Sequence, residues 1–432
     1  TVPEIRYTSQ KKNRYGENRL RADGLLEYPC RTLASLFSPA IFYGEKLSSI
    51  RKIIKQNIQE EFARNSLIRT IPQQGRNNAR LVLTLMKILD GKPVENLTGL
   101  YVPSNALDVM TDIAIASPAV CAYRQSGNEE DAQMVAKAVV SVFNKPESAA
   151  VIDLMYNKKN DDNYYESVLD YCAIGNLQAV LDEYLYMAPE NKKLGQVVTD
   201  AIIGTSNLSI DTTDSLGKEE KKQLMRCHFA IPFIDKTVTD KSVTRTTNIR
   251  KAFNSPFRPF LLSTTSIGQE GLDFHWYARK IVHWNLPSNP VDLEQREGRI
   301  NRFKCLAIRR NVVKLYASET YHTWDELFSM AYSNLKGMHS DIVPYWCLPV
   351  AELTEEQRAK LEYIERIVPL YPLSRDRYKY ERLIKVLALY RMTLGQPRQE
   401  ELLSLLRNMH LSDEQLKELT IDLCPYNKIE SL

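Results

Sequence analysis

Arg299 and Arg302 stand three residues apart at the end of a charged segment, Leu293 to Arg302. On a helix that spacing puts both guanidinium groups on one face. Gln295 falls one further turn back on the same face, and Gly298 lets a backbone or a ligand come close. Each guanidinium fork holds two oxygens, so a paired site of this type suits a polyphosphate. Upstream, Ser263, Thr264 and Thr265 follow the apolar run Phe260-Leu261-Leu262. Short hydroxyls and backbone amides at the end of a strand can meet the oxygens of a phosphate backbone. Glu270-Gly271-Leu272-Asp273 comes next, ahead of a second apolar run, Lys280 to Trp284.

The elements that must position these residues are short apolar runs separated by loops and helices, the pattern of parallel strands in an α/β sheet. In such sheets functional groups gather where strands end and loops begin. Phe260–Leu262, Lys280–Trp284 and the alternating Asn311–Tyr316 (NVVKLY) read as strands, as does Cys227–Ile234. Pro287 and Pro290 separate the second strand from a helix over Leu293–Arg302.

The spacing Gln295-x-x-Gly298-Arg299-x-x-Arg302 resembles the last motif of superfamily 2 helicases. Ser263-Thr264-Thr265 and Glu270-Gly271-Leu272-Asp273 resemble the motif that precedes it, motif V, and the gap between the two also fits. The longer phrases FNSPFRPFLLSTTSIGQEGLDFH, HWNLPSNPVDLEQREGRINRF and YRMTLGQPRQEELL are similar to large bacterial helicase-like proteins. Some of those carry a phospholipase-D-like module and some belong to anti-phage defence systems. The resemblance implies the second of two RecA-like domains that clamp ATP between them. Arg299 and Arg302 then match the arginine fingers that stabilise charge on the transferring phosphoryl group, with Gln295 ordering the phosphate end. Gly271, Asp273 and Gly298 match positions near the nucleotide, and Ser263, Thr264 and Thr265 match positions that hold the nucleic-acid backbone. ATP and Mg²⁺ are implied, bound mainly by a first motor domain in cis or in trans. DNA is the implied partner, with RNA open, together with other defence-system proteins.

No Gly-x-x-x-x-Gly-Lys-Ser/Thr loop occurs in the 432 residues, and the pairs Asp182-Glu183 and Asp325-Glu326 sit in helical patterns instead of following a strand. The residues that cradle phosphate and Mg²⁺ in such motors are thus expected outside this chain, which begins Thr1-Val2-Pro3 and reads as a fragment or a processed chain. The length allows two or three domains, and a net charge of +4 is too modest to argue for nucleic acid by itself. Seven scattered cysteines without a Cys-x-x-Cys pair favour a reduced, cytoplasmic protein over a disulfide framework. No signal peptide and no membrane-length apolar span is evident, and no metal site is expected, because His275, His283, Cys227 and His228 lack ligand spacing.

In chain order, residues 1–29 start the second RecA-like domain with a basic loop, which carries Arg6, Lys11, Lys12, Arg14, Arg19 and Arg21. Residues 30–205 are expected to be a mostly helical insertion. Its clearest helix is 45–66, with Leu47, Ile50, Ile53, Ile54, Ile58 and Phe62 on one stripe. Leu81–Leu89, Ala106–Ala116, Asp131–Phe143 and Leu169–Met187 follow as helices, the last with Leu177, Val180, Leu181 and Tyr184 as core. Residues 206–322 form the RecA-like domain, opening on a polar loop (206–224) that leads into a helix. Residues 323–432 form a helical C-terminal domain with helices at Trp324–Leu335, Glu355–Ile367, Arg375–Met392, Gln399–Met409 and Ser412–Leu423. Ser412 and Gln415 make a capping box. The four tryptophans suit packing better than base stacking, and Ser263 has neither the elbow nor the base of a nucleophile. A binding module that keeps a motor fold without catalysis is the alternative reading.

Overall fold

The computed structural model describes residues 20, 24–39, 42, 44–71, 79–94, 100–156, 164–188, 193–202, 206–210, 223–227, 250–257, 261–264, 273–317, 323–334, 341–350, 353–393, 397–409, 411–412, 414–415, 418 and 421. The basic segment at 1–19, the Gln- and Asn-containing loop at 73–78 and the polar tract at 211–220 lie outside them. The chain divides into two compact units, residues 1–231 with 243–260, and residues 232–242 with 261–432.

The first unit contains α1 (Arg31–Ser35), α2 (Leu47–Arg64), β1 (Ile68–Ile71), α3 (Ala79–Leu89), β2 (Leu100–Pro103), α4 (Ser104–Ala116), α5 (Pro118–Ser126), α6 (Glu129–Phe143), α7 (Pro146–Tyr156), α8 (Tyr164–Ile174), α9 (Leu177–Met187), α10 (Leu194–Ala201), β3 (Ser206–Ile210) and β4 (Gln223–Cys227). Helix α4 is mostly apolar, with Leu107, Met110, Ile113 and Ala114 fully buried and Asp108 and Asp112 on its polar face, and it forms the centre on which α2, α5 and α8 pack. Helix α2 buries Ile54, Ile58 and Phe62 at four-residue spacing, while Ile53 points outward at 42% exposure. Arg51 on α2 reaches Asp112 on α4 at 2.8 Å and Asp170 on α8 at 2.5 Å, so one guanidinium fork ties three helices. No single helix among the described residues is long and apolar enough to cross a membrane. The α4–α5 pair passes that test only jointly, bent by 42°, and its apolar residues form the buried core.

Two expectations for this unit are corrected. Leu169–Met187 is two helices, because Gly175 and Asn176 interrupt it. Asn176 takes a left-handed φ of 52° and its side chain caps α9 by accepting from the Ala179 amide. The expected loop at 206–224 begins with strand β3, which pairs antiparallel with β4 from Ser206↔Cys227 to Ile210↔Gln223.

The second unit contains β5 (Lys280–Val282), α11 (Pro290–Glu297), α12 (Leu306–Tyr316), α13 (Trp324–Ser333), α14 (Glu355–Ala359), β6 (Glu365–Ile367), α15 (Asp376–Met392) and α16 (Gln399–Asn408). Strands β5 and β6 pair in parallel with Lys280↔Glu365 and Val282↔Ile367. The expected helix Glu355–Ile367 therefore stops at Ala359 and ends as a strand, because backbone pairing with β5 overrides local helix preference. Asn311–Tyr316 is helix and not strand: it is the end of α12, where Asn311 and Val312 are buried among Leu306, Ala307 and Ile308. Of the first apolar run, Leu261 and Leu262 lie in irregular chain and Leu261 is 79% exposed, so these residues form no buried strand. The expected capping box of the tail is present: Ser412 accepts from the Gln415 amide at 3.2 Å and Gln415 Oε1 accepts from the Ser412 amide at 2.9 Å. Thr323 with Glu326 and Thr354 with Gln357 form further boxes that the sequence reading did not name. Of the strands expected for the parallel α/β sheet, Lys280–Val282 is seen among the described residues, and it pairs in parallel with the tail strand β6; the other parallel pair, β1–β2, lies in the stretch expected to be a helical insertion.

Candidate functional site

Helix α11 starts where the sequence places a stop and a start together. Asn289 caps it by accepting from the Val291 amide at 3.0 Å, and Pro290 occupies the first turn, where its missing N–H costs nothing. Leu293 and Ile300 are buried and anchor the segment, while Gln295 stays exposed. The helix ends at Glu297, so Arg299 and Arg302 lie beyond it and not on it. The turns that follow remain bonded to the helix end: the Gly298 amide donates to the Glu294 carbonyl at 2.8 Å and the Asn301 amide to the Glu297 carbonyl at 3.1 Å. Gly298 itself has helical φ and ψ, so its conformation does not demand glycine. A Cβ there would lie 3.3 Å from the Glu294 carbonyl oxygen, a tight approach.

The two sequence motifs meet in space. Arg302 Nη2 lies 3.2 Å from Asp273 Oδ1, and the Phe274 amide donates to the Arg299 carbonyl at 2.9 Å. The Leu306 amide donates to the His275 carbonyl at 3.0 Å, and the buried Arg309 side chain donates to the carbonyls of Lys304 at 2.7 Å and Trp276 at 2.5 Å. The chain after motif V is thereby stitched to the chain around the arginine pair. Asp273 and Arg302 are 42% and 38% exposed, so their ion pair is screened and contributes about 1 kcal/mol or less. The Nε atoms of Arg299 and Arg302 are buried and without a hydrogen-bond partner. Buried donors without acceptors are costly, and guanidinium donors are of the type that binds an anionic phosphate.

Ser263 and Thr264 are exposed in irregular chain. Thr265 and Gly271 lie outside the described residues. Of the expected site residues, Arg302 and Asp273 are in direct contact, Arg299 and Gly298 flank them in the same turn, and Gln295 sits on the last turn of α11.

Sequence reasoning missed the groups that hold α11 from behind. Glu297 accepts from Arg366 Nε at 2.5 Å and Nη2 at 2.7 Å, and His283 Nε2 lies 3.2 Å from the same carboxylate. Burial raises the Glu297 pKa, but the hydrogen bonds from His283 and Arg366 outweigh it and pull it down to about 2. Arg366 is pushed above its ordinary value by the same carboxylate. One turn earlier, Arg391 Nη2 donates to Glu294 at 2.5 Å. Only the position of Glu297 inside the motif could have signalled this; its partner lies on β6, far along the chain.

Compared with known protein families, residues 202–304 match the helicase conserved C-terminal domain. That stretch is therefore helicase-like, the kind of part found in nucleic-acid-dependent ATPases, and the family implies a RecA-like fold for it. The match ends at Lys304, just past Arg302, and so contains both motifs. No curated protein and no solved structure matches the chain.

Proposed function

We propose that the chain is the C-terminal half of an ATP-dependent superfamily 2 DNA helicase or translocase, with Arg302 as the arginine finger and Arg299 as its companion. The observation that carries this reading is the meeting of the two motifs, with Asp273 on Arg302 at 3.2 Å and unpaired Nε donors on both arginines. The chemistry that bound ATP and Mg²⁺ supply is phosphoryl transfer to water, in which charge spreads over the transferring oxygens. Arg302 and Arg299 offer fixed forks to that charge, and Gln295 lies on the helix turn just before them. Asp273 holds the Arg302 fork in place through a pair weak enough for a phosphate to displace. Thr264 and Thr265, with Ser263, provide hydroxyls for a nucleic-acid backbone, and Gly271 leaves room for a nucleotide. The first RecA-like domain, which contributes the phosphate-cradling loop, comes from other sequence. The resemblance to large bacterial helicase-like proteins suggests a setting in anti-phage defence beside other defence proteins, and the scattered cysteines suggest a cytoplasmic one.

The test is Arg302→Ala in the chain joined to its first motor domain. Turnover of ATP should fall about a thousandfold while nucleic-acid affinity changes little, and Arg302→Lys should recover little because lysine lacks the fork. Turnover near wild type in Arg302→Ala would remove the finger assignment and leave a nucleic-acid-binding module with a motor fold.

A further inference from the structure

Helix α11 presents two different sides. At about 100° per residue, Glu294 and Glu297 share one side and Gln295 lies on the other; Arg299 and Arg302 follow in the chain beyond the helix end. The first side belongs to the tail. Arg366 on β6 grips Glu297 with two parallel hydrogen bonds, its remaining nitrogen donates to Tyr380 on α15 at 3.3 Å, and Arg391 on α15 grips Glu294. The same two glutamates provide the backbone carbonyls that hold the turn leading to Arg302: Glu294 accepts from Gly298, and Glu297 accepts from Ile300 and Asn301. A side-chain grip on Glu297 is therefore one residue removed from the geometry of the arginine pair. The bidentate contact is 28% exposed on the arginine side and 21% on the glutamate side, which places it well away from full solvent screening.

We propose that Arg366 is a positioning residue for Arg299 and Arg302, acting through Glu297. The tail strand β6 is then a working part of the site and not an appended domain, although it lies beyond the matched helicase residues. This inference rests on the finger reading for its catalytic consequence, but the mechanical link stands apart from it.

Two measurements keep these separate. The first is amide hydrogen exchange on the 432-residue chain. Arg366→Ala should speed exchange through 294–302 at least tenfold while leaving the amides of α12 unchanged. The second is ATP turnover by the chain with its first motor domain. Arg366→Ala should lower kcat roughly ten- to a hundredfold, the effect of misplacing catalytic groups by about an ångström. KM for ATP should change less than about twofold, and Arg366→Lys should recover part of kcat because it keeps charge and one bond. Unchanged exchange at 294–302, or faster exchange spread equally over α12, overturns the positioning role. A kcat equal to wild type in Arg366→Ala alongside a collapsed Arg302→Ala also overturns it. If Arg302→Ala itself retains full turnover, the finger reading has failed, and altered exchange then shows only that Arg366 braces the loop.

Discussion

Glu297→Gln removes one negative charge and keeps the size of the side chain, so it isolates what the carboxylate contributes. In the folded chain Glu297 is held at about 2 instead of its ordinary 4.5, despite burial, because His283 and Arg366 bond to the charged form. At about 1.4 kcal/mol per pH unit, that difference is worth on the order of 3 kcal/mol. Breaking a fully buried pair by removing one partner costs about 3–5 kcal/mol; with Arg366 and Glu297 28% and 21% exposed, the value here falls at or below the lower end of that range. The folded value is depressed, so the stabilisation is fully present above the unfolded value near 4.5. It declines as pH falls from about 4.5 through about 2, and is lost only below that, where the carboxyl is protonated in both states. Urea unfolding of wild type and Glu297→Gln, followed by a probe in the second unit, should therefore differ by about 3 kcal/mol at pH 7. The gap should narrow steadily below pH 4.5. A difference under about 0.5 kcal/mol at pH 7, the size of an ordinary surface substitution, or one that does not shrink in acid, would refute the claim that the charged Glu297–Arg366 contact holds α11.

Replacing Asn289 with Ala should cost about 1 kcal/mol through loss of the cap on the Val291 amide, seen as a lower melting temperature; no change would mean the cap is idle. Asp273→Ala should raise KM for ATP in the complete motor and leave nucleic-acid affinity without nucleotide near wild type, whereas Thr264→Val should weaken nucleic-acid binding by about 1–2 kcal/mol, similarly across sequences. Parallel losses of both activities in the two variants would make the segment a scaffold only. The 432-residue chain alone should turn over ATP at background rate, and nucleic-acid-stimulated hydrolysis by the pure chain would contradict the half-motor reading.

Much of the local structure was legible because its causes are local. The stripe Ile54, Ile58, Phe62 repeats every four residues and fixes both the existence and the buried face of α2. The break between α8 and α9 is marked in the sequence by Gly175-Asn176, but the apolar spacing continues on both sides and masks it. Asn311–Tyr316 misled for a different reason. Helix α12 keeps a helical spacing, with Ile308 and Val312 buried four residues apart, but a six-residue window covers less than two turns, and its β-branched Val312 and Val313 suit a strand as well. Glu355–Ile367 misled because β6 owes its conformation to β5, and pairing between strands leaves no mark in either segment alone.

The chemistry on offer is written along the chain: two arginines at fixed spacing, a glycine and a glutamine beside them, and an aspartate upstream. These follow from spacing along the chain, which covalent geometry converts directly into faces and turns. It takes the folded chain to bring Asp273 to Arg302, to let Arg309 join the chain after motif V to the end of the arginine segment, and to let Arg366 from the tail grip Glu297. Each of those contacts closes a loop of many residues. Its free energy depends on where the whole chain packs, because the attraction between two charged groups acts over ångströms in space and is indifferent to their separation in sequence.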